Sequence, residues 1–259
     1  MNPLQNFYET HDEHMRFSSK SGQVEFLTTI RYAEKYLFPG AKILEIGAGS
    51  GRYSHHFAQK GYEVDAVELL DVNIEKIHAQ IEEGESLRVF KGKAMDLSFL
   101  ENENYDIVLL LGPLYHLYTE KDQLTALYEA LRLLKKGGVL MNAYCLADAA
   151  ILMAGFKKGL TKSLIERKLL DPVTFKTHSE PENVFQLFTV SDIDRLNAQL
   201  PAKRLHLVGS DMSAEFLKDT IDQMDDETFE IYLNYHFTVC ERNDLIGAGN
   251  HALDILRKE

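Results

Sequence analysis

Lys42-Ile43-Leu44-Glu45-Ile46, followed by Gly47-Ala48-Gly49-Ser50-Gly51, is the stretch that decides the fold. A short apolar run breaks into glycines at every second position. Tyr53, Phe57 and Ala58 then recur along one helix face, which Gly61 closes. The pattern predicts a strand, a glycine-rich turn and a helix, in which the turn lets a ligand come close to the backbone. A dinucleotide fingerprint would put its third glycine where Arg52 stands. The order here is acidic-x-Gly-x-Gly-x-Gly, and Glu45 at its head suits a cationic ligand group better than a pyrophosphate.

On the C-terminal side, Tyr62–Leu70 reads as a second strand, and Ile74, Ile77 and Ile81 supply the next helical stripe. Glu68 ends that strand, where a carboxylate can accept hydrogen bonds from both hydroxyls of a ribose. After a weaker strand over Leu87–Gly92, Met95-Asp96 is placed to frame an adenine. Tyr105–Leu111 is a continuous apolar run, expected of a strand covered on both faces. A helix follows with Leu124, Leu127, Tyr128, Leu131 and Leu134 on its stripe, closed by Lys135-Lys136-Gly137-Gly138, and Val139–Leu146 returns as a strand. On the N-terminal side, Phe26, Ile30, Ala33 and Leu37 mark a helix that Phe38-Pro39-Gly40 breaks. Strands alternating with helices predict an α/β, doubly wound parallel sheet with ligands at the carboxyl ends of its strands.

The remainder is less regular. Residues 147–190 and 211–250 read as helical insertions forming a cap, and residues 1–40 as an N-terminal helical segment, all within one domain spanning 1–259. Ser191–Leu200 is a short helix, Arg204–Val208 a strand and His251–Arg257 the last strand. Between them a helical stretch sets Phe229, Tyr232, Leu233, His236, Phe237 and Cys240 on one face.

Composition narrows the partners. In 259 residues, 28 Lys+Arg stand against 40 Asp+Glu, a formal charge of -12, which opposes whole-chain attraction to nucleic acid or an anionic membrane. The basic run Lys157, Lys158, Lys162, Arg167 and Lys168 is the one place where an anion could dock. No stretch reaches the roughly 18 apolar residues of a membrane span, and the N-terminus lacks a signal-peptide pattern. Cys145 and Cys240 form no zinc or disulfide framework, so a cytoplasmic protein is expected. His11 and His14 sit at i, i+3, but flanking Asp12 and Glu13 read as a solvated helix start, and no metal site is expected.

Taken together, the glycine turn, the acidic end of strand two, Met95-Asp96, the segment DIVLLLGPLYHL and the helix ending RLLKKGGVL resemble, in order and spacing, the class I S-adenosylmethionine-dependent methyltransferases. Within that superfamily the chain looks similar to the bacterial small-molecule branch related to ubiquinone/menaquinone methyltransferases. The resemblance implies a Rossmann-like seven-stranded sheet of order 3-2-1-4-5-7-6 with the final strand antiparallel. It also implies S-adenosylmethionine as cofactor and S-adenosylhomocysteine as product. It assigns Gly47, Ala48, Gly49 and Gly51 to the amino-acid end of the cofactor, Glu45 to its amino group, Glu68 to the ribose, Leu69, Met95 and Asp96 to the adenine, and Gly112 to the methionyl part. Tyr8 and Arg16 would come from a segment closing over the cofactor.

Methyl transfer from a sulfonium is an in-line displacement that needs alignment and exclusion of water. Where the acceptor must lose a proton, His116 is the candidate base, because an unperturbed imidazole titrates near neutrality. Tyr115 would position the acceptor, and Tyr144 either faces the acceptor pocket or packs under the cap. Gly112-Pro113-Leu114-Tyr115 lacks the polar first residue of the nucleic-acid amino-methyltransferase motif, which favours a small-molecule methyl acceptor. The competing readings are a tRNA or rRNA methyltransferase, a non-catalytic nucleotide-binding module, and an NAD-binding protein with a departing fingerprint.

Overall fold

The computed structural model describes residues 3–10, 17–247 and 249–259. Seven strands form one sheet: β1 (Lys42–Ile46), β2 (Glu63–Glu68), β3 (Leu87–Lys91), β4 (Tyr105–Leu110), β5 (Leu134–Cys145), β6 (Ala202–Gly209) and β7 (His251–Lys258). Their order is 3-2-1-4-5-7-6, as expected. β7 runs antiparallel to both β5 and β6, and the other neighbours are parallel.

Burial on both faces explains why β4 reads as an unbroken apolar run. Leu44, Ile46, Val108, Leu110 and Leu140 pack to one side with Ala126, Leu127, Leu131, Ile193 and Leu196. Ile43, Ile107, Leu109, Val139 and Met141 face the opposite side with Phe26, Ile30, Ala33, Tyr53 and Phe57. The first layer is supplied by α5 (Glu120–Leu133) and α6 (Val190–Asn197), the second by α2 (Lys20–Glu34) and α3 (Arg52–Gln59). The short α1 (Pro3–Thr10), α4 (Asp71–Gln80) and α7 (Asp226–Val239) complete the longer helices.

Some expectations need correction. Tyr128 belongs to the predicted stripe but is 46% exposed, because its hydroxyl reaches out to the Gln199 carbonyl. Ile81 lies past the last turn of α4 in extended conformation, so it leaves the helix face. Lys135–Gly138 does not precede the fifth strand but lies within it. Gly137 takes φ +79 there, and the β4–β5 register shifts, the mark of a bulge. In the 147–190 segment, Ala147–Ala150 is helical and Ile151–Lys157 widens to a π-helical turn, leaving Leu152 and Phe156 exposed.

Candidate active site

Every strand of the parallel half ends at the same edge, and there the loops after β1, β2, β3 and β4 surround a cavity. Gly47, Gly49, Glu68, Leu69, Met95, Gly112 and His116 line it, and α1 contributes Leu4 and Tyr8. The glycines are placed for different reasons. A side chain on Gly47 would put its Cβ 2.6 Å from Pro113 Cγ, so the β1 and β4 loops touch only because Gly47 has none. Gly49, at φ +56, faces open space and keeps its backbone accessible. Gly51, at φ +80, lies against Ile77 and starts α3, a packing role.

Glu68 is buried at the end of β2 and braces the loops. One of its oxygens accepts from the N–H groups of Leu69 (2.8 Å) and Leu70 (2.9 Å), and the other accepts from Gly49 N–H at 2.8 Å. Burial raises its pKa, and the backbone donors pull it back down. Glu68 lines the cavity at the end of β2, where the sequence places the ribose contact. Asn73, two residues into α4, also lines the cavity and bonds Glu68. Sequence reasoning missed it, although a polar residue in the first turn after an acidic strand end was a usable signal. Lys93 and Pro113 were missed as well.

Glu45 does not line the cavity. It is 2% exposed, accepts the Ser54 hydroxyl, and burial pushes its carboxyl up to about 8. A protonated, engaged Glu45 braces α3 against β1 instead of meeting a cationic group. Ala48 is buried against Ala66 and Ile77. Asp96 is exposed and its Oδ1 accepts from Ser98 N–H, so in this conformation it does not frame a base. Arg16, His11 and His14 lie outside the described residues.

His116 differs from the expected base. Its Nδ1–H donates to the Val184 carbonyl at 2.9 Å, which fixes Nε2 as the acceptor of the Tyr8 hydroxyl at 2.9 Å. Burial lowers its pKa to about 4, so it is neutral near pH 7. Val184 holds that carbonyl from a φ of +68, an outlying conformation for a β-branched residue. Tyr115 donates its hydroxyl to the Leu111 carbonyl at 2.8 Å. Tyr144 belongs to β5, is fully buried against Phe188 and is not among the residues lining these cavities, so it packs in the core instead of facing the acceptor pocket.

A second cavity, about 400 Å³, lies beside the first, and Tyr8 lines both. Tyr115, Phe185 and Leu187 form one wall. Glu25 from α2, Asp211 after β6 and His251 at the start of β7 converge on another. His251 Nδ1 lies 2.7 Å from Asp211 Oδ2 and 3.4 Å from Glu25 Oε2. His236, by contrast, is a satisfied core histidine, bonded to the Thr28 hydroxyl at 2.8 Å.

The fold is the Rossmann-like methyltransferase fold. Residues 43–138, which supply all of the first cavity's lining except Leu4 and Tyr8, match a family model described as a methyltransferase domain. Among curated proteins, a probable ribosomal RNA small subunit methyltransferase A of Methanosarcina acetivorans is 30% identical over 149 residues, 55% of this chain and 52% of that protein. A ubiquinone biosynthesis O-methyltransferase of Maricaulis maris is 32% identical over 108 residues, 41% of each. The chain therefore spans about half or less of these relatives. Among solved structures, N-methyltransferase NodS of Bradyrhizobium japonicum, in complex with S-adenosylhomocysteine, aligns with TM-score 0.62 at 12% identity, covering 100% of this chain and 99% of that one. A SAM-dependent methyltransferase of Methanosarcina mazei aligns at 0.58 with 18% identity, covering 88% and 96%.

Proposed function

We propose that the chain binds S-adenosylmethionine in the first cavity and transfers its methyl group to a small-molecule acceptor, releasing S-adenosylhomocysteine. The observation that carries this reading is the pair of cavities meeting at Tyr8, one walled by the glycine turn and Glu68, the other by acceptor-like polar and aromatic groups. The matched methyltransferase domain supports it.

Bound there, the cofactor supplies an electrophilic methyl on a sulfonium sulfur. The backbone at Gly47, Gly49 and Gly112 would hold its amino-acid end, Glu68 its ribose, and Leu69 with Met95 its base. Tyr8, from α1, closes the cavity against water, and the Tyr8–His116 bond orients its hydroxyl at the border of the two cavities. His116 acts on this reading as a positioning residue: its Nε2 holds Tyr8, and the Val184 carbonyl holds its tautomer. Segments 147–190 and 211–250 supply Ala150, Phe185, Asp211 and Lys218 to the second cavity, in keeping with a cap.

Calorimetry with S-adenosylmethionine, S-adenosylhomocysteine and NAD tests the proposal. Micromolar binding of the first two, about -8 kcal/mol, is expected, with no NAD competition. Failure of both to bind ends the methyltransferase reading. His116→Ala and Tyr8→Phe are expected to lower turnover at least tenfold, with a smaller effect on S-adenosylhomocysteine affinity. The RNA reading has the names of two relatives in its favour. The charge of -12 opposes it, and a salt-dependent shift with ribosomal RNA would revive it.

A further inference from the structure

We propose that the helical hairpin of residues 151–168 is a docking surface for an anionic lipid bilayer, its lysines meeting the headgroups while Phe156 and Leu160 enter the apolar layer beneath them. The proposal goes beyond the methyltransferase reading and does not depend on it.

Charge is the first argument. Between residues 151 and 176, Lys157, Lys158, Lys162, Arg167, Lys168 and Lys176 stand against Glu166 and Asp171 alone, in a chain whose formal charge is -12. Asp171 is already engaged, since its Oδ1 accepts from the N–H groups of Val173 (2.9 Å) and Thr174 (2.7 Å). None of the six cations has a carboxylate partner among the described residues, whereas Lys20, Lys42, Lys60, Lys91 and Lys135 each pair with one. The negative potential of an anionic leaflet attracts such a cluster and falls off within a Debye length, so the local excess counts for more than the net charge of the chain.

Exposed apolar surface on the same segment is the second. Among the described residues twelve large apolar side chains are exposed, and five of them, Leu152, Phe156, Leu160, Val173 and Phe175, fall between residues 152 and 175. Phe156 is 58% exposed and Leu160 45%, and between them stand Lys157 and Lys158.

The backbone holds these residues outward. Ile151–Lys157 is the π-helical turn, Gly159 reverses the chain at φ +71, and Thr161–Glu166 returns as a short helix. Leu160 N–H donates to the Ala154 carbonyl at 3.2 Å, which ties the two limbs together. Gly155 is buried, and a Cβ there would lie 3.4 Å from Thr161 Oγ1. With Gly155 turned in, Phe156, Lys157, Lys158 and Leu160 face solvent at the tip.

This pairing of charge with apolar surface selects the partner. RNA phosphates would answer the lysines but give the aliphatic Leu152 and Leu160 nothing to enter. A bilayer answers both, with charge at its surface and an acyl boundary that an amphipathic segment reaches to a depth of about 5–10 Å. Lysine stems extend along apolar surface while their ammonium groups stay at the headgroups. The hairpin starts directly after Ala150, which lines the second cavity, so docking there brings that cavity close to the membrane.

The test is flotation of the full chain with phosphatidylglycerol–phosphatidylcholine vesicles and with phosphatidylcholine vesicles, at low and high salt. Partition onto the anionic vesicles is expected to exceed that onto the neutral ones by about tenfold or more and to fall as salt rises. The charge variant Lys157→Glu/Lys158→Glu/Lys162→Glu and, independently, the apolar variant Phe156→Ser/Leu160→Ser should each reduce partition by about tenfold or more. All five side chains are exposed, so both variants should keep the parent melting temperature; should one melt early, the other decides. No partition, equal partition onto both kinds of vesicle, or partition indifferent to either variant overturns the proposal. Tighter binding to ribosomal RNA, abolished by the charge variant and untouched by the apolar one, overturns it too and makes the hairpin a phosphate site. So does dimerisation in light scattering that both variants abolish while vesicles capture nothing, because the hairpin would then seat on the acidic surface of a second copy.

Discussion

Gly47 and Gly49 stand two residues apart in one turn, yet substitution should affect them differently. Gly47→Ala drives a methyl group into Pro113 and strains a φ of +72, so it should cost about 1–3 kcal/mol of stability and separate the two loops that wall the first cavity. Gly49→Ala meets nothing and should cost about 1 kcal/mol or less through backbone strain, while its methyl group still obstructs the backbone a ligand must approach. Urea melts with and without S-adenosylhomocysteine separate the two: both variants lose ligand affinity, but only Gly47→Ala melts markedly earlier. Tyr144 gives the opposite kind of test. Among the described residues its buried hydroxyl has no hydrogen-bond partner, so Tyr144→Phe should leave turnover intact and stability equal or higher by about 1 kcal/mol. A fall in turnover would return Tyr144 to the acceptor site.

Among elements, those with a regular period were legible and those defined by contact were not. The β1–turn–α3 unit announced itself because Ile43, Leu44 and Ile46 face two cores while the glycines mark the break. Glu68 was legible because an acidic strand end needs only one element to place it. The Glu25–Asp211–His251 cluster was not, since its members come from three elements with no shared spacing and the side chains meet only after the sheet closes. The neutrality of His116 was equally hidden, for it comes from burial, and its tautomer is fixed by the Val184 carbonyl, 68 residues away. Arg132 in α5 shows how an element can support a site it never touches. It donates to the carbonyls of Leu97 (2.9 Å) and Leu100 (3.2 Å) and pairs with Glu129, which in turn accepts from Leu97 N–H. That clasp holds the loop directly after Met95. Arg132→Ala should cost about 1–2 kcal/mol and weaken S-adenosylhomocysteine binding severalfold, whereas a loss of stability without loss of affinity would show the loop to be held by other means.

At the scale of the whole molecule, buried titratable groups set opposing limits on stability. Native His116 and His236 titrate near pH 4, whereas unfolded imidazoles titrate near 6.5. The unfolded chain therefore binds more protons between these values. The stability they contribute is complete above pH 6.5 and lost as pH falls toward 4. Glu45 runs the other way: the native group keeps its proton to about pH 8, while the unfolded one releases it near 4.5. Its contribution is complete below 4.5 and lost as pH rises through 8. His251, raised by Glu25 and Asp211 despite its burial, adds to that alkaline loss. Unfolding free energy should thus decline from pH 6.5 to 8, and Glu45→Gln should flatten the decline. Urea midpoints at the two pH values measure it, and an unchanged slope would mean that Glu45 is ionised in the native state.

The strand that completes the sheet is also the last of the seven to be made. β6 pairs with β7 alone, and β7 is inserted between β5 and β6, antiparallel to both. A nascent chain can assemble β1 through β5 as they emerge, but β6 must wait unpaired until residues 251–258 leave the ribosome. The same late strand brings His251 to the second cavity, so closing the sheet and completing the site are one event in the life of the chain. A message truncated before codon 251 should yield protein that is insoluble or held by chaperones, with an open β-edge where the finished molecule has a cavity wall.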